Sequence, residues 1–336
     1  GGWITGIGST YGDGKIFTGS FENMQLALDA KTGRILWTTN TKGPMIFTGA
    51  YADGMYFKGG SDDNTMYCFN ASTGKIIWQF RPDTDGYFTT GCAVAYGMVY
   101  EMNKDGYLYA FDIYTGDVVW KYKGPNDSLM WPGMPSVADG KIYVTTGEEA
   151  QYNGPAGISE FSCINALTGQ LIWKIDGIEA LPPRESVAIA YGTLYIIPGS
   201  VTTAVDTISG NEYATDGELW AIKDTAPQGN TPRVVSSWPQ WRADATHSSL
   251  AEVGPSNLSL AWRFRTGGSV ISSPSIYDNI AYVGSSDGYL YALDAWNGDL
   301  KWKFKTGDLI ESSPAVVNGK VYTGGDDGYV YCLDAY

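Results

Sequence analysis

The chain has 336 residues, with 36 Asp and Glu against 22 Lys and Arg, for a formal net charge of −14. That charge sets it against nucleic acid, whose phosphates would be repelled, and no apolar run approaches the roughly 20 residues of a membrane-spanning helix. The length allows a well-buried core, and many of the 43 glycines stand in turn signals.

In chain order, one phrase recurs. It reads Leu26-Ala27-Leu28-Asp29-Ala30-Lys31-Thr32-Gly33 up to Trp37, then Tyr67-Cys68-Phe69-Asn70-Ala71-Ser72-Thr73-Gly74 up to Trp78, then Tyr109-Ala110-Phe111-Asp112-Ile113-Tyr114-Thr115-Gly116 up to Trp120. Weaker copies run from Ser162 to Trp173 and from Tyr291 to Trp302. With Trp262 included, the tryptophans set a period of about 40 residues, the size of a stacked or radially arranged supersecondary unit.

Within a unit the pattern is that of strands. Residues 312–334 alternate short β-branched and aromatic runs with the signals Asn318-Gly319 and Asp327-Gly328, which favour two-residue primed turns between antiparallel strands. A fourth strand carries the Trp, as in Leu300-Lys301-Trp302-Lys303-Phe304-Lys305. Four strands in such a period make a propeller blade. Strand cores beginning near residues 3, 45, 87, 131, 184, 270 and 310 predict an all-β, seven-bladed β-propeller of four-stranded antiparallel blades.

The linking phrase has a physical reading. Asp or Asn closes a local turn with its own side chain, and Gly supplies a left-handed residue before the outer strand. Trp37, Trp78, Trp120, Trp173, Trp262 and Trp302 then bring large apolar rings, each with an N–H that needs an acceptor, to the seams between blades.

The phrases at 109–120 and 291–302 resemble the repeat of the pyrroloquinoline-quinone-like β-propellers. That superfamily includes quinoprotein alcohol dehydrogenases and the non-enzymatic outer-membrane assembly lipoprotein BamB. The dehydrogenases share adjacent cysteines over the quinone, a Trp beneath it, and Glu, Asn and Asp ligands for calcium. This chain has no adjacent cysteines, so no catalytic residue carries over. The resemblance implies no cofactor in the leading reading, and pyrroloquinoline quinone (PQQ) with calcium in the alternative one, a PQQ-dependent dehydrogenase.

Cys68, Cys163 and Cys332 occupy a slot that holds Ala27, Ala110, Ala221 and Ala292 in other blades. A slot shared with Ala is small, so buried free thiols are expected there, while a Cys68–Cys92 bridge between neighbouring blades stays open. His247 lies in a polar connection outside the repeats, and the acidic hairpin turns lack the ligand density of a calcium loop. The sequons at Asn70, Asn126 and Asn257 are glycosylation candidates.

Blades 4 and 5 carry insertions at 147–157 and 198–216. In a propeller these loops share one face with the segments entering each blade. Candidate ligand-binding residues there are Trp131, Glu148, Glu149, Tyr152, Arg184, Glu185, Tyr213 and Asp216, whose aromatic and charged groups suit a protein or a glycan.

The stretch from Trp238 to Gly267 resembles the opening of such a propeller, placed two-thirds of the way along. The expected organisation is a single propeller over 1–336. Residues 1–224 supply blades 1–5 without the last outer strand, 225–256 form a connecting loop, and 257–336 supply that outer strand and blades 6–7. Blade 7 lacks its own Thr-Gly-x-x-x-Trp phrase, so it is expected to be three-stranded or completed by another chain, with the two termini close together. The function this predicts is a non-enzymatic scaffold or binding module, extracellular, at the cell surface or periplasmic, and one ring of a larger assembly.

Overall fold

A computed structural model describes residues 8–88, 90–124, 133–146, 160–176, 187–197, 203–205, 212–214, 217–223, 243–244, 250–251, 254, 259–270 and 272–336. The chain divides into two compact units, one of Gly1–Thr146, Ser162–Leu171 and Ala245–Leu250, the other of Gly147–Phe161, Ile172–Asp244 and Ala251–Tyr336.

In the first unit, β1 (Thr10–Gly12), β2 (Lys15–Ser20), β3 (Met24–Asp29) and β4 (Ile35–Asn40) form one sheet in chain order. The second sheet is β5 (Ala50–Ala52), β6 (Met55–Gly59), β7 (Met66–Asn70) and β8 (Ile76–Phe80). The third is β9 (Ala93–Ala95), β10 (Met98–Met102), β11 (Tyr107–Asp112) and β12 (Val118–Lys123). The unit boundary falls in the fourth sheet, made of β13 (Ser136–Ala138), β14 (Lys141–Thr146), β15 (Glu160–Asn165) and β16 (Leu171–Asp176).

In the second unit, β17 (Ala188–Ala190) and β18 (Thr193–Ile196) begin the fifth sheet. A separate hairpin of β19 (Thr203–Val205) and β20 (Glu212–Ala214) intervenes before β21 (Glu218–Lys223). The short β22 (Leu250–Ala251) joins the fourth sheet beside β13, and β23 (Ser259–Arg265) is the outer strand of the fifth. The sixth sheet is β24 (Ser275–Tyr277), β25 (Ile280–Gly284), β26 (Tyr289–Asp294) and β27 (Leu300–Lys305). The seventh has three strands, β28 (Ala315–Val317), β29 (Lys320–Gly324) and β30 (Val330–Asp334). These sheets are the blades of an all-β, seven-bladed propeller whose last blade is three-stranded.

The first hairpin of each blade is the two-residue turn the sequence predicts. At Asp13-Gly14 both φ angles are positive, 49° and 71°, the geometry that matches strand twist. Tyr96 and Tyr191 adopt the same left-handed conformation, each with φ 53°, at a cost other residues avoid. Each places its hydroxyl to accept a neighbouring blade's turn amide, Gly140 N–H at 2.8 Å and Asn279 N–H at 3.1 Å. The second hairpin differs from the prediction: between β10 and β11 stand four residues, Asn103 to Gly106, of which only Gly106 has positive φ. The Asp105 carboxylate closes that loop by accepting from Tyr107 N–H at 3.0 Å, so a side chain does the work of a second left-handed residue.

The recurring phrase forms the turn before the outer strand. Asp29 Oδ1 accepts from Lys31 N–H, Thr32 N–H and Thr32 Oγ1–H, and Asn70 repeats the pattern. The Thr32 hydroxyl first, and then its backbone N–H, holds the Asp29 carboxyl below its ordinary value.

Core clusters sit at the seams between neighbouring blades, and the tryptophans anchor them. Trp37, Trp78, Trp120 and Trp262 donate through Nε1 to the carbonyls of Ala71, Ile113, Ala166 and Ala295 at 3.0, 2.9, 3.0 and 3.1 Å, and Trp302 reaches Ala335 O at 3.4 Å. Trp173 packs edge-on against Phe161. Where the preceding blade has a central Tyr, one carbonyl takes two bonds: Ala166 O also accepts from Tyr100 OH, Ala295 O from Tyr195 OH and Ala335 O from Tyr282 OH. Both lone pairs of a buried carbonyl are thereby used. Opposite each of these tryptophans lies the small-residue slot, followed by a register shift, as between Ala110 and Phe111 or Cys68 and Phe69. Such a bulge strengthens local twist and turns the ring onto the next blade.

Cys68, Cys92 and Cys163 are buried free thiols, so the Cys68–Cys92 bridge is not formed. Cys332 departs from expectation: it is exposed. Its slot is the same, but no outer strand brings a Trp across it among the described residues.

Replacing Trp120 by Ala should cost about 3 kcal/mol, the lower end for a large aromatic because the ring is only part-buried, and a melt matching the parent would refute its docking role. A Cβ on Gly116, at φ 76°, would lie 2.5 Å from Trp78 Cδ2, whereas Gly140, at φ 69°, has nothing within 4 Å. Gly140→Ala should therefore lose only the left-handed backbone penalty of about 1–2 kcal/mol, and Gly116→Ala about 1–3 kcal/mol more from overpacking. Equal losses in denaturant titrations would remove the ring contact from the account.

Burial pushes the Cys68 and Cys163 thiols and the Tyr67 hydroxyl up to about 12, and raises Tyr100, Tyr195 and Tyr282 as well. The unfolded chain sheds these protons from about pH 8.5 for thiols and about pH 10 for phenols while the folded chain keeps them, so stability falls above those values. Lys58 has the opposite sign. Burial pulls its ammonium down to about 7, so from there to the ordinary lysine value the unfolded chain binds more protons and stability rises with pH. The melting temperature should climb from about pH 7 to about 9 and drop steeply beyond about 10. Cys68→Ala with Cys163→Ala should soften the onset of that drop; an unchanged profile would show that the thiols do not contribute.

Candidate functional site: the open side of the last blade

β29 and β30 pair in the register of the preceding blade, Tyr322 opposite Cys332 and Gly324 opposite Val330, as Tyr282 stands opposite Ala292 and Gly284 opposite Leu290. Equivalent residues therefore differ only in what covers them. Tyr282, Leu290 and Ala292 are fully buried, whereas Tyr322 is exposed, Val330 is 79% exposed and Cys332 is exposed. The other face of the same blade is closed: Val316 and Val321 are buried in the cluster shared with β25 and β26, and Phe304 packs on Tyr331. Among the described residues no strand pairs the outer edge of β30, and the apolar side chains beside it are exposed, a combination natural proteins usually cover or charge. In the first unit, the first blade also exposes an apolar side chain whose equivalents are buried, Tyr11 against Val94 and Ile276.

The end of β30 is held firmly. Asp327 accepts from Tyr329 N–H at 3.0 Å, from Gly307 N–H of the neighbouring blade at 2.7 Å, and from Tyr331 OH at 2.5 Å. The Tyr331 bond, first among these, holds the Asp327 carboxyl below its ordinary value, and the same bond raises the Tyr331 hydroxyl. Asp63 with Tyr67, Asp105 with Tyr109 and Asp287 with Tyr291 repeat the clamp. At the far end Lys320 pairs with Asp334 at 2.6 Å. The edge is thereby a preformed strand rather than a frayed one.

In the third and sixth blades the edge is used in a specific way. Ala292 faces Trp302, Leu290 faces Phe304, and Tyr291 and Tyr289 face Lys303 and Lys305. The Lys303 and Lys305 ammoniums lie 4.3 and 4.7 Å from the Tyr289 ring centre, and Lys121 lies 4.4 Å from that of Tyr107. The equivalent Tyr329 is 67% exposed.

Trp131, Glu148, Glu149, Tyr152, Arg184, Glu185 and Asp216 lie outside the described residues, as do His247, Asn126 and Asn257, and Tyr213 is placed only as a backbone position on β20. Asn70 is within them, its side-chain oxygen engaged in the turn before β8. One buried charge had no counterpart in the sequence reading. Lys58 lies in the middle of β6, its ammonium donating to Met45 O at 2.8 Å, with Glu101 acting on it electrostatically from the next blade. The signal available was a Lys and a Glu at the position that Val283 holds in β25.

Among the described residues no group of three or more His, Cys, Asp or Glu is placed to hold a metal ion. No helix among them is long and apolar enough to cross a membrane.

A family model described as outer membrane protein assembly factor BamB matches residues 3–83, 22–179, 62–236 and 162–336. Among solved structures, BamB from Moraxella catarrhalis superposes with a TM-score of 0.64 at 17% identity, over 98% of this chain and 85% of that one. The computationally designed Ika8 protein gives 0.50 at 13% identity, over 99% and 96%. Quinohemoprotein alcohol dehydrogenase from Comamonas testosteroni gives 0.49 at 14%, over 99% and 74%. No curated protein matches the sequence significantly. At these identities the structural likenesses speak for the fold alone, whereas the family model spans nearly every blade described above; the chain belongs to the family of the outer membrane protein assembly factor BamB.

Proposed function

We propose that this chain is a non-enzymatic scaffold that binds protein outside the cytoplasm, at the cell surface or in the periplasm. The observation that carries the reading is the last blade, where Tyr322, Val330 and Cys332 stand exposed beside an edge of β30 that no strand among the described residues pairs, while their equivalents in the sixth blade are buried. Strand addition at such an edge is a general mode of protein recognition: main-chain bonds give affinity and alternate side chains give selectivity. Family membership supports the reading, since the family takes its description from an outer-membrane assembly factor. A second surface, for a protein or a glycan, is proposed on the face bearing the loops of blades 4 and 5, with Glu148, Glu149, Tyr152, Tyr213 and Asp216, and the entering segments with Trp131, Arg184 and Glu185.

The opposing class is a quinone-dependent dehydrogenase. Purified chain incubated with PQQ and calcium, then desalted, should retain no quinone absorbance and reduce no dye with alcohols. Stoichiometric quinone retention together with calcium-dependent dye reduction would overturn the scaffold reading.

A further inference from the structure

We propose that two exposed aromatic residues of the turn phrase, Trp296 in the second unit and Tyr114 in the first, are stacking platforms for a neutral polysaccharide. Strand alternation puts the phrase turn and the first hairpin at one end of each blade, and the loop between its second and third strands at the other. The platforms are therefore at the opposite blade end from the loops of blades 4 and 5.

Nothing in the turn itself requires a ring. Asp294 Oδ1 closes it by accepting from Trp296 N–H at 2.9 Å and Asn297 N–H at 3.3 Å, and Lys31 and Ser72 supply the first of these amides equally well in blades 1 and 2. The indole is nevertheless fixed. Its Nε1 donates to Asn279 Oδ1 at 3.0 Å, and it lies against Tyr191 with ring centres 5.3 Å apart. Asn279 N–H donates in turn to Tyr191 OH, so one asparagine orients both rings. Tyr191 holds its left-handed φ of 53° to take part, and strain of that kind collects at binding sites. With its edge anchored in this way, Trp296 is still 40% exposed.

Blade 3 repeats the arrangement with other letters. Tyr114 OH donates to Asp53 Oδ2 at 3.1 Å while the residue stays 61% exposed. Ile113 N–H donates to Gly97 O, which sets the phrase turn beside the hairpin of Tyr96, left-handed like Tyr191 and exposed.

Charge selects the ligand. The lysines beside these turns are committed, Lys301 to Asp294 at 2.8 Å and Lys141 to Asp139 at 2.7 Å, whereas Asp53 and Asp299 are exposed. Such a rim repels anions. A sugar brings C–H groups to the negative face of an aromatic ring and hydroxyls that donate to carboxylates. A protein contact would instead strip water from those carboxylates, which costs unless each finds a partner. Rings on turn tips grip weakly one at a time, so a chain that engages several is favoured over a single sugar.

The test is native gel electrophoresis of the whole chain through galactomannan, hydroxyethylcellulose or, as the anionic control, alginate. At least one neutral polymer should retard the chain, and alginate should not. Trp296→Ser and Trp296→Leu place in this turn the residues that blades 2 and 4 carry there, Ser72 and Leu167, so both should melt with the parent. Each should weaken retardation about three- to tenfold, the worth of one aromatic stack. Tyr114→Ser should act likewise, and the double variant more than either alone. Retardation by neither neutral polymer, or by alginate as strongly, would overturn the proposal. Retardation that Trp296→Ser and Tyr114→Ser leave unchanged would put the glycan elsewhere and do the same. Full retention by Trp296→Leu would reduce the indole to an apolar contact and overturn stacking. Self-association shown by the parent and lost in the variants, without retardation, would assign the rings to a protein contact and overturn the glycan.

Discussion

Everything in the blades depends on one contact, the tryptophan of an outer strand laid on the glycine of the next blade's turn. Gly74, Gly116, Gly169 and Gly298 leave no room for a Cβ against Trp37, Trp78, Trp120 and Trp262. Each of these glycines also has positive φ. Two independent demands, one conformational and one steric, thus fall on one position, and the Asp or Asn at the head of the turn holds it in place. Removal of the ring leaves the buried carbonyl it served short of a donor, which costs more than the lost apolar area alone.

This constraint explains how far the sequence is readable. The phrase Asp-Ala-x-Thr-Gly-x-x-x-Trp is legible because each letter answers a backbone or steric requirement that recurs at every seam. The first hairpins are legible for the same reason, through Asp13-Gly14 and its equivalents. The second turn is not, because Asp105 replaces a left-handed residue with a side-chain bond, and the same Asp-Gly letters serve both geometries. The Asp clamp on Tyr109 and Tyr331 hides likewise: an acid in a hairpin turn reads as a solubilising residue until the hydroxyl four positions on is seen to reach it.

Cys332 shows a different limit. Its slot is correctly read as small, and in blades 2 and 4 the same slot buries a thiol. Burial, however, is a property of the neighbour as much as of the slot, and the slot's own letters do not record the neighbour. Lys58 and Glu101 are the converse case, charges at a position that other blades fill with Thr18, Val283 or Thr323, and tolerable because Met45 O and a facing charge offset part of the desolvation.

A repeat in which polar groups are so fully committed leaves little from which to build a site within a blade. The turn acids bind backbone amides, the central tyrosines share carbonyls with tryptophans, and the hairpin acids clamp tyrosine hydroxyls. Exposed apolar surface is therefore found where the repeat is interrupted, as at Val330 in the last blade. At β30 the interruption is also informative, because neighbouring blades display what a satisfied edge looks like, down to the lysines over Tyr289 and the tryptophan beside Ala292.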